Sequence, residues 1–394
     1  ACIAIQANQN EMHGGQSVPN FDYAMAEGVV RTFRKEYFKA MEKYARVKFD
    51  VDAETASEFI HTMKNALGTG VRMGTADEYG KKLEDWVNGG GILCGERVLL
   101  AEDMRKAHET VVDMALKETE GETYQSMEAL IHNLNTMNSR AGAQVPFSSV
   151  NYGTDCSPEG RMVIKNLLLA TDAGLGNGET PIFPVQIFKV KEGVNYNPGD
   201  PNYDLFRLAV RTSAKRLFPN FSFLDAPFNL QYYKEGDYNT EVAYMGCRTR
   251  VMGNHYDPSR EVTCGRGNLS FVSINLPRLG IKAHGDIQAF YESLDKMIDL
   301  ACRQLLHRFS IQCRKKVRNY PFLMGQGIWL DSDKLDVDDS VAEVLKHGTL
   351  SVGFIGLAET LVALTGKHHG ESPESQKLGL EIIGHMRKRM DEKS

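Results

Sequence analysis

Tyr244-Met245-Gly246-Cys247-Arg248-Thr249-Arg250-Val251 leads into a loop, Met252 to Thr263, rich in Gly, Asn, Asp and Pro. Cys264-Gly265-Arg266-Gly267-Asn268 and the run Leu269-Ser270-Phe271-Val272-Ser273-Ile274-Asn275-Leu276-Pro277-Arg278 follow. Alternation and turn residues predict strand, loop, strand, with Cys247 near one tip. Neighbouring side chains of an extended segment point to opposite sides, so Cys247 faces away from Arg248. A thiolate nucleophile needs cationic neighbours on its own side, whereas a cysteine that keeps its S–H bond favours dry, uncharged surroundings. The pattern leans to the second kind.

Upstream, residues 1–22 predict a short apolar element and a turn at Gly14-Gly15. Val30, Phe33, Tyr37, Met41 and Tyr44 recur at helical spacing within a helix from Glu27 to Phe49. A second helix is expected over residues 53–66, and residues 67–97 are Gly-rich and show no clear period. Arg97–Lys117 and Glu122–Asn138 read as two helices broken at Glu120-Gly121. Then come a strand over Gln144–Tyr152, a helix over Glu159–Ala173, a strand over Ile182–Val190, a helix over Tyr203–Leu217 and a short strand over Phe221–Leu224. Gly174-Leu175-Gly176-Asn177-Gly178 follows a helix rather than a strand, so it is read as a C-cap and loop, not a dinucleotide fingerprint.

Downstream, a long helix starts at an Asp286 cap and carries Ile287, Phe290, Leu294, Met297, Ala301, Leu305 and Phe309 on one face. Cys302 and Cys313 on it read as buried small hydrophobes. Strands are expected over Phe322–Leu330 and Thr349–Phe354, and helices over 341–346, 357–365 and 375–390. Strands alternating with helices predict an α/β fold with a largely parallel sheet covered on both faces. Spacing does not distinguish a closed barrel from an open sheet.

The 394 residues are 42% hydrophobic and 25% charged, an ordinary globular composition with a net charge of −5. That charge gives no general attraction to nucleic acid or anionic membrane, and no apolar run approaches a membrane span. The seven cysteines are scattered without a Cys-x-x-C pair, which reads as reduced, cytoplasmic usage with no disulfide framework and no metal site. His368-His369 has no spaced metal partner and reads as a polar loop. No P-loop, His-Glu-x-x-His or Gly-x-Ser-x-Gly occurs, which removes the common NTPase, zinc-protease and serine-hydrolase readings.

Met-Gly-Cys-Arg-Thr-Arg followed by Gly-Arg-Gly-Asn-Leu-Ser-Phe-Val-Ser-Ile-Asn-Leu-Pro-Arg resembles the finger loop and next strand of the anaerobic, glycyl-radical (class III) ribonucleoside-triphosphate reductases. The resemblance extends to Met12-His13-Gly14-Gly15-Gln16, Gln144 to Asp155, Thr180 to Pro184, Asp200 to Asp204 and Gly353 to Glu359. It implies a glycyl-radical-type ten-stranded α/β barrel, one catalytic domain over residues 1–394 with a finger loop at about 244–268 inside it. It also implies that Cys247 becomes a transient thiyl radical removing the ribose 3′-hydrogen. Asn268, otherwise a turn residue, then hydrogen-bonds the ribose hydroxyls without titrating. His13, Gly14, Gly15, Ser148, Asn151 and Gly356 are the expected substrate-binding residues. For Gly14-Gly15 a tight turn, and for Gly356 close strand–helix packing, remain competing readings. Arg248, Arg250 and Arg266 read as holding the loop rather than binding phosphate.

The implied partners are ribonucleoside triphosphates, a separate S-adenosylmethionine-dependent iron–sulfur activase and a second copy in a homodimer, with formate or a thiol as reductant. The glycyl-radical motif Arg-x-Cys-Gly-Tyr, the family's four-cysteine zinc site and a second active-site cysteine upstream of His13 do not occur in this sequence. The glycyl radical and the structural zinc are therefore expected in a complete protein, not on these residues. Ala1 to Gln6 reads as the inside of an element, and Lys388 to Ser394 stops within a charged helical pattern. The expectation is an internal piece, truncated at both ends, with an incomplete barrel and no activity alone. Two rivals stand beside this reading: another glycyl-radical enzyme, of pyruvate formate-lyase or diol dehydratase type, and a non-catalytic nucleotide-binding fragment.

Overall fold

The computed structural model describes residues 1–12, 14–90, 92–138, 144–246 and 249–393. They fall into two compact units, the first made of residues 1–253 and 261–264 and the second of 254–260 and 265–394.

The first unit opens with α1 (Cys2–Glu11), β1 (Gln16–Val18), α2 (Phe21–Lys48), α3 (Ala53–Leu67) and α4 (Ala76–Gly90). A two-residue hairpin, β2 (Leu93–Cys94) with β3 (Arg97–Val98), precedes α5 (Ala101–Thr136). After it come β4 (Ser148–Tyr152), α6 (Pro158–Ala173), β5 (Val185–Val190), α7 (Tyr203–Arg216), β6 (Asn220–Phe223), β7 (Ala243–Met245) and β8 (Thr249–Val251). Strands β1, β4, β5 and β6 form one parallel sheet in that order. Local chemistry sets several ends. Asp52 caps α3 by accepting from the Thr55 N–H at 2.8 Å. Ser157 caps α6 with Pro158 behind it, and Gly174 closes that helix at φ +84°.

Two helix expectations in this unit change. α5 runs unbroken through Glu120-Gly121 because its neighbours Thr119 and Thr123 are buried, each hydroxyl donating to the carbonyl four residues back. Packing on α2, α4 and α6 outweighs a glycine cost of about 1 kcal/mol. α4 lies in the stretch that showed no clear period. Tyr79, Leu83 and Val87 form its buried stripe, and a Cβ on Gly80 would sit 2.7 Å from the His108 ring. There glycine admits a neighbour rather than breaking a helix.

Strand alternation gives the sheet two different faces. Tyr152 donates to Gln186, which donates to Thr171 of α6, so Tyr152 and Gln186 face the helical layer. Ser149 and Asn151 point the other way and meet β7 at the β1–β4 edge. The expected helical cover on both faces is thus replaced, at this edge, by a helical layer on one side and a hairpin on the other. A separate helical core, including Phe33, Tyr37, Met41, Phe59, Met63, Leu83 and Met104, joins α2, α3, α4 and α5.

The second unit holds β9 (Asn268–Asn275), α8 (Leu276–Ala283), α9 (Ile287–Cys313), β10 (Thr349–Ile355), α10 (Leu357–Thr365) and α11 (Pro373–Asp391). β9 and β10 pair in parallel. Asp286 caps α9 as expected, accepting from the Ala289 N–H at 3.0 Å. Phe290, Leu294, Ile298, Leu361, Ile382 and Met386 fill the core. The strand expected through Arg278 stops at Asn275, whose side chain accepts from the Arg278 N–H and turns the chain into α8. The strand expected over 322–330 is a series of turns, in which the Met324 and Gly325 N–H groups both donate to the Tyr320 carbonyl and the Gln326 N–H to that of Phe322, and a Cβ on Gly325 would be 2.3 Å from the Pro321 carbonyl oxygen. Cys302 and Cys313 are half-buried rather than buried.

Candidate active site

The decisive stretch is a hairpin followed by a separate strand. β7 and β8 are antiparallel, with Met245 opposite Thr249. Gly246 follows at φ +60°, a conformation that favours glycine. Cys247 and Arg248 lie outside the described residues, as does His13.

Three neutral side chains hold the strand that leads to Cys247. Asn151 of β4, fully buried, takes both main-chain groups of Tyr244: its Oδ1 accepts from the Tyr244 N–H at 2.8 Å, and its Nδ2 donates to the Tyr244 carbonyl at 2.9 Å. The same Nδ2 donates to Ser17 Oγ at 3.2 Å, and Ser17 donates to the Tyr244 carbonyl at 2.9 Å. Ser149 Oγ accepts from the Gly246 N–H at 3.1 Å and donates to the Tyr244 carbonyl at 3.4 Å. Gly15 completes the contact, since a Cβ there would lie 2.9 Å from the Phe147 ring and 3.1 Å from the Gly246 Cα. Gly14 sits at φ +99°, and a Cβ added there would meet no atom within 4 Å.

The expected site residues are therefore not all brought together. Asn151 spends its amide on the loop stem. Ser148 is one position out of phase, on the opposite face of β4, and its buried hydroxyl has no hydrogen-bond partner among the described residues. Ser17 and Ser149 were missed. Counting back two positions from Asn151 would have found Ser149.

The approach to β7 is anchored by charges. Lys189 of β5, almost fully buried, has its Nζ 2.9 Å from Glu241 Oε2 and donates to Asn20 Oδ1 at 2.9 Å. Thr154 donates to the same Glu241 oxygen at 3.0 Å. Asp22 accepts from the N–H groups of Gly153, Thr154 and Asp155 at 2.8, 3.1 and 3.1 Å. Burial pushes the Asp22 carboxyl up, while Lys189 and the Gly153 and Asp155 N–H groups oppose the shift. Sequence reasoning missed this cluster, although a lysine inside Val-Gln-Ile-Phe-Lys-Val is a signal that a buried partner exists. Arg250 lies over the Phe228 ring at 5.3 Å and donates to Asn229 at 3.4 Å, which fits a role in holding the loop.

In the second unit, Asn268 begins β9 opposite Thr349, whose hydroxyl donates to its Oδ1. No hydrogen bond engages its Nδ2 among the described residues. Gly356 is the N-cap of α10 at φ +73°, and a Cβ there would be 2.2 Å from Pro277 Cγ, so the close-packing reading has direct geometric support. Residues 254–260 are held by a chain of polar side chains. Asn254 bonds His347 Nδ1 at 3.1 Å, and His347 Nε2 lies 2.9 Å from Asp331. Arg260 donates to both Asp331 oxygens at 2.8 and 2.6 Å and to Asp257 at 2.5 Å. Arg260 holds the Asp331 carboxyl well below the usual carboxylate range.

Burial raises the thiol pKa of Cys2, Cys94, Cys156, Cys302 and Cys313, which keeps these five protonated at neutral pH. Among the described residues no group of three or more His, Cys, Asp or Glu is placed to hold a metal ion. Among the same residues no helix is long and apolar enough to cross a membrane.

A model of the anaerobic ribonucleoside-triphosphate reductase family matches residues 1–394. The enzyme of that name from Salmonella typhimurium is 33% identical over 282 residues, covering 71% of this chain and 38% of the relative. Its counterpart from Enterobacteria phage T4 is 32% identical over 266 residues, or 66% of this chain and 42% of the relative. This chain thus spans less than half the length of either. A solved anaerobic ribonucleotide reductase superimposes over 95% of this chain and 63% of its own, with 12% identity and a TM-score of 0.47. Neither rival reading finds support in these matches. The chain belongs to the anaerobic ribonucleoside-triphosphate reductase family.

Proposed function

We propose that this chain supplies the radical-bearing loop and part of the substrate wall of an enzyme that converts ribonucleoside triphosphates to 2′-deoxyribonucleoside triphosphates. The observation that carries the reading is the family match over all 394 residues, which includes Met-Gly-Cys-Arg at the hairpin. Cys247, as a thiyl radical, takes the 3′-hydrogen atom of the ribose, forming S–H and leaving a carbon radical; the same hydrogen returns after the 2′-hydroxyl has left as water. Exchange between S–H and C–H is nearly balanced, so it requires accurate placement and the exclusion of quenching water rather than a strong base. Asn268 offers Nδ2 to a ribose hydroxyl while Thr349 holds its Oδ1.

In this reading His13, Gly14, Gly15 and Gly356 border the substrate and Asn151 acts through the loop stem, whereas Ser148, expected among them, is turned to the helical face of β4. The ten-stranded α/β barrel and the single catalytic domain over residues 1–394 belong to the same proposal. A glycyl radical, when present, supplies the oxidising equivalent, and formate or a thiol supplies the reducing electrons. Structural zinc, an S-adenosylmethionine-dependent activase, a homodimer and a cytoplasmic setting complete the proposal.

The test is Cys247→Ser in the full-length protein, activated anaerobically with S-adenosylmethionine and reductant. The glycyl doublet in electron paramagnetic resonance should persist while deoxynucleotide formation vanishes, because an O–H bond is too strong for reversible exchange with the ribose C–H. Deoxynucleotide production by that variant refutes the role of Cys247.

A further inference from the structure

We infer that Ser17, Ser149 and Asn151 are positioning residues for Cys247, an inference that rests on the thiyl role proposed above. β7 and β8 are three residues each, too short for a hairpin to define its own place. The position of β7 is set instead by side chains of the parallel sheet. Asn151 binds the N–H and C=O of Tyr244 as a paired strand would, and Ser17 and Ser149 place two further donors on that carbonyl. The Gly246 N–H, one residue before Cys247, ends on Ser149. A slip of one residue would break all of these bonds together.

Each partner is suited to this task by its chemistry. Asp at 151 would lack the two donors and Gln would be one methylene too long, whereas Asn matches a peptide unit in both donor and acceptor. None of the three side chains titrates, so the grip is independent of pH and places no formal charge next to the thiol. Gly15 allows the closest approach, since any side chain would collide with Phe147 and Gly246. Hydrogen-atom transfer falls steeply with misplacement, and an error of about 1 Å costs roughly 100-fold in rate.

The experiment uses the full-length protein with Ser149→Ala, Ser149→Thr and Asn151→Ala, each activated anaerobically, beside Cys247→Ser. Asn151→Ala should lower kcat about 100-fold and Ser149→Ala about tenfold, with KM within about twofold and an unchanged glycyl doublet. Ser149→Thr keeps the hydroxyl and should restore turnover. With 3′-deuterated ribonucleoside triphosphates, the isotope effect on kcat should grow in the two alanine variants, which a general loss of stability would not produce. If Asn151→Ala does not fold, the Ser149 pair decides the question. Unchanged kcat and isotope effect in Ser149→Ala, or a loss that only follows the loss of folded protein, overturns the inference. Turnover by Cys247→Ser would instead overturn the reading beneath it.

Discussion

The Lys189–Glu241 pair before the Cys247 hairpin and the Arg260–Asp331 pair after it use the same kinds of group in opposite surroundings. Lys189 and Glu241 keep 1% and 5% of their side-chain surface exposed; Arg260 and Asp331 keep 38% and 18%. A buried charge that loses its partner has no water to fall back on, whereas a half-exposed one is rehydrated and screened. The first pair therefore acts as an all-or-none anchor and the second as an adjustable one. Between them the Tyr244–Gly246 stem is held without any charge. Along the sequence, charge stands where the chain is anchored and is left out of the stem that leads to Cys247.

The largest effect should come from breaking the buried pair on one side only. Lys189→Met leaves the Glu241 carboxyl buried without its charged partner, and should cost about 4 kcal/mol in urea unfolding. Adding Glu241→Leu should recover much of that loss; if the double variant is no better than the single one, burial is not what separates the two pairs. Asn151→Ala comes next, at about 3 kcal/mol, because it strands the Tyr244 N–H and removes two donors in a dry site. A loss under about 1 kcal/mol would mean that water replaces the amide and that the stem is not dry.

Asp331→Asn should be milder, lowering Tm by about 3 °C, and the difference should shrink in 1 M salt, where the Debye length is about 3 Å. An equal loss at low and high salt would place this pair with the buried one. Acid separates the two regions by sign. The Asp331 pKa is depressed on folding, so its contribution is fully present above the unfolded value of about 3.9 and is lost as pH falls toward the lower folded value. Asp22 is shifted upward by burial, so its contribution is present below about 3.9 and is lost as pH rises through the folded value. Acidification below about pH 4 should therefore loosen residues 254–260 first. Trp329, whose indole N–H donates to the Val344 carbonyl at 2.7 Å, reports this by fluorescence in a Trp86→Phe background. The smallest effect is expected for Thr349→Val, which frees the Asn268 amide at a cost of roughly 1 kcal/mol or less, read from Tm.

Much of the chain could be read from its residues because the governing rules are local. The caps at Asp52, Ser157 and Asp286, the helical stripe through Phe33, Tyr37 and Met41, and the glycine that closes α6 all follow from chemistry within a few positions. Alternating strand and helix signals gave the α/β class, and the cysteine-centred stretch gave the family. The failures were also physical. Gly121 looks like a break until the burial of Thr119 and Thr123 on the same helix is seen, and the strand expected over 322–330 ignored how closely Gly325 approaches Pro321.

By itself the sequence determined the family, the α/β class and the capped starts of helices, since periodicity, capping and motif spacing are properties of neighbours. Only the tertiary structure decided what Asn151 does. Its amide meets Tyr244, 93 positions away, and Ser17 reaches the same carbonyl across 227. That meeting depends on the parallel register of β1 and β4, where Ser17 lies beside Ser149, and on β7 crossing the polar face of the sheet at that edge. A shift of one residue in that register would have offered Ser148 instead and turned the clamp toward the helices, because side chains alternate faces along a strand.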